Sequence, residues 1–281
     1  MRRLTIAILT LALASAIALA QRAPKQDEVE IEKMTYPEIY SAIHDRGKTT
    51  VLIYNGGTEQ RGPHATLGGH TLMARSIAPM IARQLGNALV APVLPYSTNP
   101  AGGIDPKFPG SIGLSSEMFT KVNEAVVEDM AKEGFKNIIL MGDHGGGQTE
   151  LGKLATAMDA KYSPQGTHVY FCGDLYEKSR VDFAEWLTSK HLPLSNHAGI
   201  SDTSIMLYLQ PRPESWVRNI YKTTVGDPVL PAGQRPDPNG PRVNNGVTGD
   251  PRPSTPEIGK LAVEMKVNDA VVQIRKLVAA K

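Results

Sequence analysis

The chain has 281 residues, 30 Lys and Arg against 28 Asp and Glu, a formal net charge of +2 and one cysteine, Cys172. That balance offers no clustered positive charge for nucleic acid or an anionic membrane surface. A lone cysteine closes no internal disulfide, so a chain of this length has to rest on the core of one sizeable α/β domain.

Residues 1–20 open with Arg2 and Arg3 and continue as an uncharged, largely apolar stretch ending in Ala18-Leu19-Ala20, the small-x-small pattern of a secretory cleavage site. The run is short for a membrane span. The expectation is an exported protein, periplasmic or secreted, whose mature form starts near Gln21 and has no stable membrane insertion. Without the segment, 28 basic side chains face 28 acidic ones. Residues 21–34 read as a polar, solvated leader, and residues 35–281 as a single α/β domain that begins with a helix over 36–46.

Short apolar runs at 51–54, 88–91, 137–141 and 168–172 are bounded by Gly, Asn, Pro or Asp, as buried strands are. Helical patterns lie between them. After His70, Met73, Ile77 and Met80 or Ile81 share a stripe that stops at Gly86, with Pro79 expected to kink or shorten that helix. Ser115 is placed as an N-cap with Glu117 in the first turn; Phe119, Val122, Val126 and Met130 follow on one face, and Gly134 marks the stop. The alternation predicts a mostly parallel sheet flanked by helices on both faces. Residues 211–256 are crowded with Pro, Gly and Asn and read as an irregular surface excursion. A last helix begins near Ser254, with Val263, Val267, Val271, Ile274 and Val278 in its apolar stripe.

Ligands of parallel α/β sheets bind beyond the carboxyl ends of the strands. Three loops put polar side chains at such an edge: "TEQRGPHATLGGH" from Thr58 to His70, "GDHGGGQTE" from Gly142 to Glu150, and "NHAGISDTS" from Asn196 to Ser204. They carry Glu59, Arg61, His64, His70, Asp143, His144, His197 and Asp202, all of them except Arg61 of types that bind zinc or similar ions. His44, His168 and His191 read as ordinary surface or hydrogen-bonded histidines. His144 differs from these because it sits between a strand end and three glycines, which permit close backbone approach. Cys172, at the end of a predicted strand, reads as a buried structural thiol, and Trp186 and Trp216 as packing residues.

The first loop resembles the opening motif of the creatininase family, roughly E-Q-H-G-P-H-L-P-L-x-T-D. "FPGSIGLS" (Phe108 to Ser115) looks like that family's FPGT segment, "DHGGG" like its GHGGN, "HAGISDTS" like its HAGxxETS, and "GVTGDP" (Gly246 to Pro251) like a segment before its last helix. The resemblance implies a creatininase-like fold, a metal-dependent hydrolase of C–N bonds in small, often cyclic amides, and a homo-oligomer. It also implies a dinuclear metal site, from which this chain departs twice: Arg61 stands where the family has a histidine ligand, and His70 where it has the aspartate bridging two ions. Arginine is cationic at any ordinary pH and cannot ligate, and one imidazole nitrogen cannot bridge two metals as a carboxylate does.

The remaining set, Glu59, His70 and His144, has the His₂Glu composition of open catalytic zinc sites. The expectation is one divalent ion per chain, zinc first and manganese or iron as alternatives, with Arg61 supplying positive charge in place of the second. His197 is expected as general base and proton donor, Asp202 as its orienting partner or a ligand through water, and Gly145, Gly146 and Gly147 as oxyanion donors. Asp143 has no assigned role, and His64 is a supporting residue or a fourth ligand. The alternative reading is a catalytically inactive exported binding protein with a degenerate site.

Overall fold

A computed structural model describes residues 28–98, 104–230, 237, 240 and 242–280; the expected cleaved segment 1–20 and residues 21–27 of the polar leader lie outside them. Four strands form one parallel sheet: β1 (Thr50–Asn55), β2 (Ala88–Val90), β5 (Asn137–Gly142) and β6 (His168–Phe171), in the order β2-β1-β5-β6. A separate parallel pair, β3 (Ser97–Thr98) and β4 (Gly113–Leu114), is too short to show periodicity in sequence. Among the described residues, seven α-helices accompany the strands: α1 (Tyr36–His44), α2 (Gly69–Leu85), α3 (Ser116–Lys132), α4 (Gln148–Tyr162), α5 (Glu177–Ser189), α6 (Ile200–Leu209) and α7 (Pro256–Ala279).

Every residue of β1 is buried, as a central parallel strand covered on both faces requires. The chain leaves β1 through α2 to pair β2 on one side, and β5 then pairs on the other, in register from Thr50↔Asn137 to Asn55↔Gly142. The order therefore reverses between β1 and β5. At such a switch point the loops leaving neighbouring strand ends diverge and open a crevice. Helices α2, α5, α6 and α7 pack on one another, while α3 and α4 form a second group against β5 and β6.

Several sequence expectations need correction. The chain before α1 is not a solvated leader throughout: Val29 is buried, its carbonyl accepts from Val90 N at 2.7 Å, and Glu30 bridges to Val90, which extends the sheet edge. Helix α2 is not shortened by Pro79, which is buried within it; the tertiary contacts of this face outweigh the backbone bond that proline cannot make. Ser115 caps α3 through Met118 N as expected, but Phe119, Asn123, Val127 and Met130 are its buried residues, with Val122 and Val126 half-buried beside them. Segment 211–256 does more than cross the surface. Val217 and Val247 are buried, bridges Ala65↔Val217 and Ser195↔Gly249 tie it to the first loop and to the start of the third, and Asp227↔Thr248 closes it on itself. Cys172 is buried, with its thiol pushed up to about 12 by burial, as an inert structural thiol should be. Trp186 stacks on Phe183 and, like Trp216, packs against the core.

Candidate functional site

Strands β1 and β5 end side by side at the switch point and deliver their loops to one crevice. Glu59, four residues past β1, accepts from His70 Nε2 through Oε1 at 2.9 Å and from His144 Nε2 through Oε2 at 3.0 Å. The ligand atoms of Glu59, His70 and His144 all lie within 4.8 Å of one another, so the structure brings together the three residues expected to bind an ion. They form the floor of a cavity of about 210 Å³ that also contains Asp143, His197, Asp202 and Gly145.

His70 lies in the first turn of α2, where its ring spans two carboxylates. Its Nδ1–H donates to Asp143 Oδ2 at 2.8 Å, which turns the Nε2 edge of the ring towards Glu59 and His144. A carboxylate behind a histidine fixes its tautomer and raises its basicity as a ligand. Burial and the Arg61 charge work against protonation of His70, but the hydrogen bonds to Asp143 and Glu59 prevail and its pKa is raised. Asp143 is itself held by Tyr54 Oη at 2.9 Å and Lys266 Nζ at 3.0 Å, both on Oδ1. Burial would raise the Asp143 carboxyl, yet Lys266 and His70 hold it well below the usual carboxylate range. Glu59 behaves alike: burial opposes ionisation, and the His144 and His70 hydrogen bonds with the Arg61 charge overcome it.

Arg61 is fully buried. Gly69 makes room for it, since a Cβ there would collide with the Arg61 Nε and Cδ. Its Nη1 reaches Asp202 Oδ2 at 3.2 Å and lies 3.8 Å from Glu59 Oε1, while Nη2 lies 3.2 Å from His70 Nε2. The guanidinium thus stands directly beside the cluster. Asp202 accepts from Arg61 and from Ala198 N at 2.9 Å, so it holds Arg61 and the third loop instead of orienting His197 as expected.

His197 faces Glu59 through Nδ1 at 3.4 Å, while its Nε2–H donates to Gln60 O at 2.7 Å. Burial first, and then the Arg61 charge, lower its pKa despite Glu59, which keeps the ring neutral with Nδ1 free to take a proton. The irregular segment secures it from behind, where Thr248 N donates to His197 O at 2.8 Å. His64 is not a ligand: its buried ring meets Thr203 Oγ1 through Nε2 at 2.9 Å, and burial, followed by Arg61, pushes its pKa down to about 4.

The three glycines divide. Gly146 N donates to His144 Nδ1 at 3.0 Å and its carbonyl accepts from Ser97 Oγ, so its N–H is already engaged, and neither Gly146 nor Gly147 lines the cavity, contrary to expectation. Gly145 does line it. A Cβ at Gly145 would meet Tyr176 Oη at 2.7 Å, so only glycine lets that hydroxyl approach the His144 segment. Burial, then Asp202, push Tyr176 up to about 12, which keeps it a proton-bearing donor.

Sequence reasoning missed Tyr54, Tyr176 and Lys266. Lys266 alone left a signal: it lies four residues from both Ala262 and Ala270 on the buried face of α7, where a cation needs a partner.

A divalent ion fits this donor set. Glu59 is ionised, and His70 turns Nε2 inward with Nδ1–H fixed on Asp143, so loss of the Nε2 proton would make it a ligand. His144 needs the tautomer with hydrogen on Nδ1, for which Gly146 O at 3.4 Å is the acceptor.

Over residues 32–274 the chain matches the family model Creatininase, described as creatinine amidohydrolase. It is 26% identical to the mycofactocin precursor peptide peptidase of Mycobacterium tuberculosis over 239 residues, 81% of this chain and 85% of that protein. The same-named protein of Mycolicibacterium smegmatis matches at 25% over 169 residues, 57% of this chain and 58% of its own length. A creatinine amidohydrolase crystal structure superposes with a TM-score of 0.70 at 20% identity, covering 89% of this chain and 97% of its own. Similar creatininase structures include zinc–zinc and manganese forms.

Proposed function

Since the chain belongs to the creatininase family, whose members are metal-dependent amidohydrolases, we propose that it is an exported hydrolase that cleaves a C–N bond of a small amide, with one divalent ion per chain. The observation that carries this reading is Glu59 set between His70 Nε2 and His144 Nε2 on the floor of a cavity at the sheet's switch point. When bound, the ion supplies a Lewis acid for the carbonyl and lowers the pKa of water.

The remaining chemistry belongs to side chains. His197, neutral and held at Nε2 by Gln60 O, takes the proton of the attacking water on Nδ1 and returns it to the leaving nitrogen. Tyr176 donates its hydroxyl hydrogen towards charge developing on the amide oxygen. Arg61 keeps a fixed positive charge beside Glu59, where relatives with the usual motif would place a second ion. Asp143 and Lys266 hold the His70 ring in line.

A second reading, a metal-free binding protein, is favoured by one observation: the inward nitrogen of His70 already meets Glu59 Oε1 at 2.9 Å, with Arg61 Nη2 3.2 Å away. Elemental analysis of the purified protein separates the two. The hydrolase reading expects close to one ion per chain and turnover of at least one member of a panel of lactams, cyclic ureides, N-formyl amines and short peptides. Peptides belong in the panel because the mycobacterial relatives are named peptidases. Arg61→His with His70→Asp should raise the stoichiometry towards two. Two ions on the unaltered protein would overturn the one-ion site, and no ion with no turnover would leave the binding reading. Export is tested by intact mass: loss of residues 1–20 is expected, and a mature protein that retains them would refute it.

A further inference from the structure

The outer wall of the cavity carries donors that the proposed chemistry does not use. Arg180 lies one helical turn beyond Tyr176, the N-cap of α5, and its N–H donates to Tyr176 O at 3.2 Å, so both side chains lie on one face and reach the same cavity. Asn196 and Ser201 enter from the third loop and the first turn of α6. Among the described residues, the guanidinium of Arg180 has no acidic partner, and the side chains of Asn196 and Ser201 make no hydrogen bond. The carboxylates lining the cavity are meanwhile all engaged: Glu59 by two histidines, Asp143 by His70 and Lys266, Asp202 by Arg61 and Ala198 N. No acid is left over to face Arg180. A divalent ion on the floor would make the cavity more positive still.

We infer that Arg180, with Asn196 and Ser201, binds a carboxylate carried by the substrate, so that the substrate is an amide of an amino acid or a similar acid and not a neutral lactam. The inference rests on the hydrolase reading of the same cavity. A planar guanidinium accepts a carboxylate through two parallel N–H bonds, and an amide with a hydroxyl beside it supplies further donors. The modest cavity, smaller than those that hold drug-sized ligands, suits a ligand of about one residue, with its amide over the histidines and its acid at the rim.

The test compares N-acetylglycine with its neutral counterpart N-acetylglycinamide, followed by NMR titration of the intact protein and scored separately for hydrolysis by the zinc-loaded form. The acid should bind about 10- to 100-fold more tightly than the amide, the range expected of a charge-assisted contact. Arg180→Ala should abolish that preference and Arg180→Lys should retain part of it. Arg180 is exposed, so neither variant disturbs the core. Equal binding of the two probes, a preference indifferent to Arg180→Ala, or binding of neither probe would overturn the inference. Arg180-dependent binding without turnover of any amide would sink the hydrolase reading and leave the carboxylate site standing. Turnover of neutral amides unaffected by Arg180→Ala would do the reverse.

Discussion

The floor and the rim of one cavity are built on opposite terms. On the floor, Glu59, Arg61, His70, Asp143 and Lys266 are buried or nearly so and joined by short contacts. At the rim, Arg180 and Asn196 are exposed and Ser201 half-buried, their side chains without hydrogen-bond or ion-pair partners among the described residues. Buried charge is costly unless paired, so the floor has to be a closed network that fixes geometry. Exposed donors cost little when left to water, so the rim can keep its capacity for a ligand. The contrast predicts that floor variants change metal binding and stability together, whereas rim variants change ligand preference alone.

The largest effect expected is that of Glu59→Gln, which keeps the volume but removes the anion between the two histidines. Metal affinity should fall by more than the ~10- to 100-fold typical of losing a supporting residue, read by competition with a chromogenic chelator. Near-normal binding would remove Glu59 from the ligand set.

Asp143→Ala comes next, because it uncovers Lys266 and unfastens His70 at once. Breaking a buried pair costs about 3–5 kcal/mol, and affinity for the ion should drop about 10- to 100-fold. Asp143→Asn with Lys266→Met should recover much of the stability, read by denaturant unfolding, but not the affinity. Recovery of both would show that Asp143 serves folding only.

A smaller, pH-dependent effect is expected of His64. Its folded pKa is depressed to about 4 from an ordinary value near 6.5. Below 6.5 the unfolded chain takes up a proton that the folded one refuses, so stability is fully present above that pH and is lost as pH falls towards 4. The loss should be at most about 3 kcal/mol, obtained as the difference in pH slope between the protein and His64→Gln. Parallel slopes would mean that the ring is not buried neutral. Smallest of all, Ser201→Ala should leave stability within about 0.5 kcal/mol; a larger loss in a thermal melt would place this rim residue with the closed network.

The four main strands, the Ser115 cap and the loops bearing Glu59, His144 and His197 were legible in sequence. Each rests on local features: an apolar run bounded by turn residues, a hydroxyl before a helical stripe, a motif after a strand end. The resemblance to the family motif also drew attention to Arg61 and His70, on which the proposal of a single ion rests. Partnership was not legible. Asp143 meets His70 across 73 positions and Lys266 across 123, and Asp202 holds Arg61 across 141. Such pairings depend on which strand ends and helix faces the topology brings together, and no periodicity records that. The same reason explains Gly146, whose N–H looked free in sequence but is claimed by the neighbouring His144 ring once the loop turns back. By itself the sequence determined the fold class and the residue types at the sheet edge. Which of those residues bind, which support and which stand open to a ligand was decided by tertiary structure, because pairing in a buried site is set by long-range approach and desolvation.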